Sequence, residues 1–131
     1  MTVIVWVGKN GEMLFNKRRC SRDRAVVAEI LSVYGERLCV SAYSASLFEG
    51  CRVISALPEV GDGVLFLEDF PLSPALAQAN ELIVYRFDRV YPADIKLEIP
   101  QDFTLMESTE FVGFAHEKIT REVYRKWQNE K

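Results

Sequence analysis

At 131 residues, 49% of them hydrophobic, the chain has the size of one domain around one core, which argues against a second domain. A charged fraction of 27% and a net charge of -3 describe an ordinary soluble surface, so any general attraction to nucleic acid is weak and any basic character is local. No run approaches membrane-spanning length, and the opening "MTVIVWVGKNG" lacks a charged leader and a cleavage pattern, so no signal peptide is expected and cytoplasmic residence is the expectation.

"TVIVWV" (2–7) is β-branched and aromatic and runs into Gly8-Lys9-Asn10-Gly11, which tolerates positive φ. A strand and a tight turn are predicted there, followed by a second extended piece in "EMLFN". Lys17, Arg18, Arg19, Arg22 and Arg24 then place five cations in eight positions, directly before an amphipathic helix. Ser21 is a candidate cap for that helix; Val26, Val27, Ile30, Leu31 and Tyr34 recur at three- and four-residue steps, and Gly35 is placed to stop it. "RLCVS" (37–41) predicts a buried strand, "SASLFEG" (44–50) a helical turn or two begun by Ser44 and ended by Gly50, and "CRVIS" (51–55) another strand. After Pro58, Gly61 and Gly63, "VLFLE" (64–68) is a short apolar run of the kind covered on both faces. "SPALAQA" predicts a helix and "ELIVYRF" (81–87) a central strand, and such alternation implies an α/β sheet.

"DFTLMESTEF" (102–111) fits an extended strand. In "HEKITREVYRKWQ" the spacing of Ile119, Val123 and Trp127 supports a helix, and Thr120, Val123 and Tyr124 support a strand equally. Cys20, Cys39 and Cys51 are odd in number and widely spaced, which fits reduced thiols, Cys39 and Cys51 within strands, and no zinc site.

In their order, "TVIVWV", "SRDRAVVAEIL", "LCVSAYSASLF", "CRVIS" and the stretch from "VLFLEDFPLSPALAQANELIVYRF" to "DFTL" resemble dihydrofolate reductase in a shortened, altered form. The resemblance covers most of the chain and rests on order and pattern. It implies a three-layer α/β fold with a mixed, largely parallel sheet, flanking helices and a C-terminal antiparallel hairpin, and it turns the last segment toward strand. The chain is also similar to small bacterial proteins labelled ribonuclease Z. That metal-dependent chemistry requires several histidines and carboxylates around two metals, whereas His116 is the only histidine.

Three departures from the family bear on the cofactor. Where the family strand ends in two glycines that let backbone approach the cofactor phosphates, this chain has Glu68-Asp69, and a carboxylate beside a pyrophosphate adds repulsion on the order of 1 kcal/mol per pair. Ala42 stands where the family sets an arginine against the 2′-phosphate. Only residues 56–63 connect "CRVIS" to "VLFLE", where the family has a further strand and helix; eight extended residues span at most about 28 Å. The connection is expected to fit with almost nothing spare and to leave "CRVIS" as an edge strand.

Asp23 matches the family's acidic residue, which holds the pterin and assists its protonation, so the resemblance implies it as the catalytic candidate. A carboxylate at a helix start is equally what the helix dipole favours. The cluster Arg18, Arg19, Arg22 and Arg24 precedes the same helix terminus, where it can meet a bound anion or an acidic surface such as Glu68-Asp69. Ser44, Glu68 and Asp69 complete the candidate ligand-binding set. A nucleic-acid interface would need stacking aromatics on the basic face, and Phe15 and Tyr34 look like core instead. His116 beside Glu117 fits an exposed turn, Asp94 in "YPAD" fits turn chemistry, and no Ser-His-Asp arrangement is visible.

The expectation is a degenerate dihydrofolate reductase-like domain that binds a small anionic or heteroaromatic ligand beside the Asp23 helix, with no cofactor, metal or membrane. The alternatives are an active NADPH-dependent reductase, and an interaction protein whose basic loop meets an acidic partner or RNA.

Overall fold

The structure is a computed structural model and describes residues 1–127. Strand β1 (Thr2–Val7) is buried along nearly its whole length and divides its side chains by strand alternation. Val3, Val5 and Val7 enter one apolar layer, and Ile4 and Trp6 enter the other. The chain continues through β2 (Glu12–Phe15), β3 (Arg18–Arg19), helix α1 (Arg24–Tyr34), β4 (Leu38–Val40), β5 (Arg52–Val53), β6 (Val64–Phe66) and helix α2 (Leu72–Gln78). It ends in β7 (Glu81–Phe87), β8 (Ile95–Lys96), β9 (Phe103–Phe111) and β10 (Ile119–Lys126).

Seven strands form one sheet in the order β5-β4-β6-β1-β7-β10-β9, and β3-β2-β8 form a second, small one. The first five strands of the large sheet pair in parallel, while β10 is antiparallel to β7 and β9. Helix α1 packs Val26 and Ile30 on one face, and α2 packs Ala75 and Leu76 on the other. This is the expected three-layer mixed α/β fold with a C-terminal hairpin. Central strands wrapped on both faces explain the uninterrupted apolar runs. Each fully buried Val, Leu or Ile adds roughly 1.5–3 kcal/mol.

Several local expectations are corrected. Asp23, not Ser21, caps α1: its backbone is extended and its carboxylate accepts from the Ala25 N–H. Gly35 does end α1, as expected, but as a right-handed C-cap that opens a 3₁₀ turn and not as a left-handed residue. Ser44 precedes a single 3₁₀ turn without capping it, because its hydroxyl is directed to Glu68. The strand in "CRVIS" shrinks to Arg52–Val53, with Cys51 just outside it; it does lie at the sheet edge. Residues 56–63 are not stretched, since they contain a 3₁₀ turn at Leu57–Val60. Val53 is level with Val40 and so with Phe66, which leaves only two residues of strand, about 7 Å, to retrace before Val64.

The basic stretch forms a hairpin that the sequence pattern did not announce. Leu14 pairs with Arg19 and Phe15 with Arg18, and the two loop residues Asn16 and Lys17 have φ of 51° and 65°. Asparagine tolerates this left-handed region, but lysine is strained there by roughly 1 kcal/mol. Lys17→Gly is therefore expected to raise the midpoint of thermal unfolding by roughly 3 °C in a calorimetric scan. An unchanged or lower midpoint would contradict the turn geometry.

Candidate functional site

Strand β6 delivers Glu68 to the carboxyl end of the parallel strands, where α/β sheets place their ligands. The Glu68 side chain is only 2% exposed and is saturated by protein donors. Oε2 accepts from Trp6 Nε1 at 2.8 Å and Arg19 Nε at 2.9 Å, and Oε1 accepts from Ser44 Oγ at 2.7 Å and the second Arg19 nitrogen at 2.9 Å. This fork-on-carboxylate geometry is the strong form of the ion pair. The bonds that Arg19 donates to Glu68 push its guanidinium above its ordinary pKa and outweigh the opposing effect of burial. Arg19 also lies over the Tyr43 ring, 4.6 Å from its centroid, and the Arg19 N–H donates to Tyr43 Oη.

Asp23 is equally engaged. Its Oδ1 accepts from the N–H groups of Ala25 and Phe114, and its Oδ2 from the Ala115 N–H and His116 Nδ1 at 2.8 Å each. Burial alone would raise this carboxyl. The hydrogen bonds from His116, Phe114, Ala115 and Ala25 outweigh it and hold the group at about 2, below the ordinary 3.8. The loop joining β9 to β10 thus closes over the helix start. Gly113 permits the approach, since a Cβ there would stand 2.6 Å from Asp23 Oδ2. His116 corrects the surface expectation: its side chain is 13% exposed, and its ring stacks on Phe87 with centroids 4.3 Å apart. Its Nε2 lies 2.9 Å from Ser21 Oγ, so a Ser-His-Asp chain exists after all.

The five cations separate into three environments. Lys17 and Arg18 are exposed at the hairpin, Arg19 turns inward to Glu68, and Arg22 and Arg24 face a cleft of about 720 Å³ beside α1. Val27, Leu31, Leu47 and Phe114 give the cleft its apolar wall. Among the described residues neither Arg22 nor Arg24 has a carboxylate partner within 4.0 Å, and Arg24 stands over the Phe114 ring at 5.1 Å.

Of the candidate residues, Arg19, Ser44 and Glu68 meet in one buried network, and Arg22, Asp23 and Arg24 line the cleft. Arg18 and Asp69 are exposed and join neither group. Asp94 accepts from the Asn16 N–H, 78 residues away, so its carboxylate serves the β2–β3 hairpin and not its own turn. Trp6, Phe114 and His116 were not foreseen, and their partners are 62, 91 and 93 residues away, beyond any local pattern. No group of three or more His, Cys, Asp or Glu side chains among the described residues could hold a metal ion.

No protein-family model matches the chain, and no curated protein matches it significantly. Its structure is similar to that of dihydrofolate reductase from Enterococcus faecalis, determined in complex with NADP(H) and RAB-propyl. The TM-score is 0.68 at 9% identity, and the match covers 98% of this chain and 97% of that one. The chain therefore has the dihydrofolate reductase fold.

Proposed function

We propose that the protein is a degenerate dihydrofolate reductase-like domain that binds a small anionic or heteroaromatic ligand in the cleft beside α1, without redox chemistry. The observation that carries this reading is the pairing of two guanidinium groups, unmatched by carboxylates among the described residues, with an apolar wall and an exposed ring. Such a lining suits a flat molecule with an acidic group, because arginine both stacks on π-systems and forks onto carboxylate or phosphate. The absence of hydride transfer is supported at Glu68. Its buried carboxylate and its partner Arg19 fill the strand end that the family resemblance assigns to the nicotinamide cofactor, so these residues do not fit that group.

The fluorescent probe 8-anilinonaphthalene-1-sulfonate, an aromatic sulfonate, tests this reading. Micromolar binding is expected, weakened at least tenfold by the double substitution Arg22→Glu and Arg24→Glu. Equal binding to both proteins would remove the cleft from consideration. Micromolar quenching of tryptophan fluorescence by NADPH, tightened when Glu68 and Asp69 are changed to glycine, would instead establish the reductase reading.

A further inference from the structure

The geometry points to Ser21 as a nucleophile for acyl transfer, with His116 as its base and Asp23 as the group that orients the imidazole. Two distances and one set of backbone bonds carry it, joining the lead-in to α1 with the β9–β10 loop. Ser21 Oγ lies 2.9 Å from His116 Nε2, His116 Nδ1 lies 2.8 Å from Asp23 Oδ2, and Asp23 is held ionised in position by three backbone N–H groups. A buried carboxylate accepting from Nδ1 fixes the proton on that nitrogen, which leaves the Nε2 lone pair facing the hydroxyl. Phe87 fixes the plane of the ring by stacking, and Tyr91 Oη is a further 3.5 Å neighbour of Nε2.

The surroundings suit the role. Ser21 is partly exposed and sits between a strand and a helix, β3 and α1. The backbone N–H of Arg22, next after the nucleophile, donates to no protein acceptor among the described residues; in serine hydrolases with a strand-to-helix turn, that position supplies an oxyanion donor. Arg22, Asp23, Phe114 and Ala115 border the cleft and are chain neighbours of Ser21 and His116, which do not themselves line it. The substrate class rests on the reading of that cleft: an ester of an anionic aromatic acid. The nucleophile itself does not depend on it.

In the reaction, Ser21 Oγ bonds to the carbonyl carbon as its proton passes to His116 Nε2. The bond from that carbon to the alcohol oxygen breaks, and the proton on Nε2 goes to the departing oxygen. Water then gives a proton to Nε2 and attacks the acyl-serine. The Ser21 ester bond breaks, Ser21 recovers the proton, and the carboxylic acid leaves.

The decisive experiment treats the intact protein with diisopropyl fluorophosphate, which is uncharged and reads the nucleophile apart from the arginines. One adduct per chain, located on Ser21 by peptide mass spectrometry, is expected. It should be absent in Ser21→Ala and form roughly 10²–10⁴-fold more slowly in His116→Gln. No adduct, an adduct elsewhere, or undiminished labelling of His116→Gln overturns the proposal. If His116→Gln fails to fold, the wild-type labelling rate against pH decides. A rate that levels off once the imidazole is neutral supports the assignment, and one that climbs tenfold per pH unit throughout refutes it. Esters of aromatic acids with and without a second carboxylate then separate the two readings in the wild-type protein: faster hydrolysis of the charged ester supports the cleft as its site, and equal hydrolysis of both, with Ser21 labelled, removes the cleft reading and leaves the serine and its base established.

Discussion

Substituting alanine for Glu68 is expected to lower the unfolding free energy by about 3–5 kcal/mol, the usual cost of removing one partner from a buried ion pair. The loss is large because one carboxylate serves the Trp6 indole, the Ser44 hydroxyl and both bonding nitrogens of Arg19, and all would lose their acceptor together. Urea unfolding followed by fluorescence measures it, with Trp6 directly beside the change. The paired replacement Glu68→Leu, Arg19→Met is expected to recover only part of the loss, since it removes the unpaired charge but leaves the Trp6 indole and the Ser44 hydroxyl without their acceptor. A cost below about 1 kcal/mol for Glu68→Ala would mean that the network is open to water and that the site is not filled by its own residues.

Asp23→Asn carries the second large effect, about 3 kcal/mol, because the amide cannot accept all the hydrogen bonds made by the carboxylate and turns a donor toward backbone N–H groups. The helix cap contributes little to this, since asparagine caps a helix as well as aspartate; the loss lies at Oδ2, which serves the Ala115 N–H and His116 Nδ1. The pH dependence follows from the same contacts. The folded carboxyl is held at about 2 against an ordinary 3.8, so its stabilisation is complete above about pH 4 and disappears as the pH falls toward 2. That window is worth on the order of 2 kcal/mol. Wild-type stability should fall across it more steeply than that of Asp23→Asn; parallel curves would show that Asp23 is not held by these bonds.

The sheet was legible because strands buried on both faces leave unbroken apolar runs, as in "VLFLE" and "ELIVYRF". Strands of two residues, β3, β5 and β8, leave no period to detect. The last segment was ambiguous on spacing alone, and its pairing with β7 and β9 settles it as β10. The site was legible as a set of residues but not as an arrangement. Arg18 and Arg19 are neighbours in sequence, yet strand alternation sends one outward and the other to Glu68, and only the β2 hairpin sets which. Ser21 and Asp23 are both capable caps, and the choice is made by the loop carrying Phe114, Ala115 and His116, more than ninety residues later. A single histidine has no spacing to read, so its partners come from the closure of a distant turn.

The central place of β1 also governs assembly during synthesis. Thr2 pairs with Val64 on one side and with Glu81 on the other, so β1 is made well before either of its sheet neighbours and stays unpaired in the sheet until that later chain arrives. Until then "TVIVWV" is an apolar, β-prone segment with both edges open, the kind that chaperones hold and that aggregates when they do not. Ring closure over such separations is entropically slow, which places this small protein among the slower-folding mixed topologies despite its modest length.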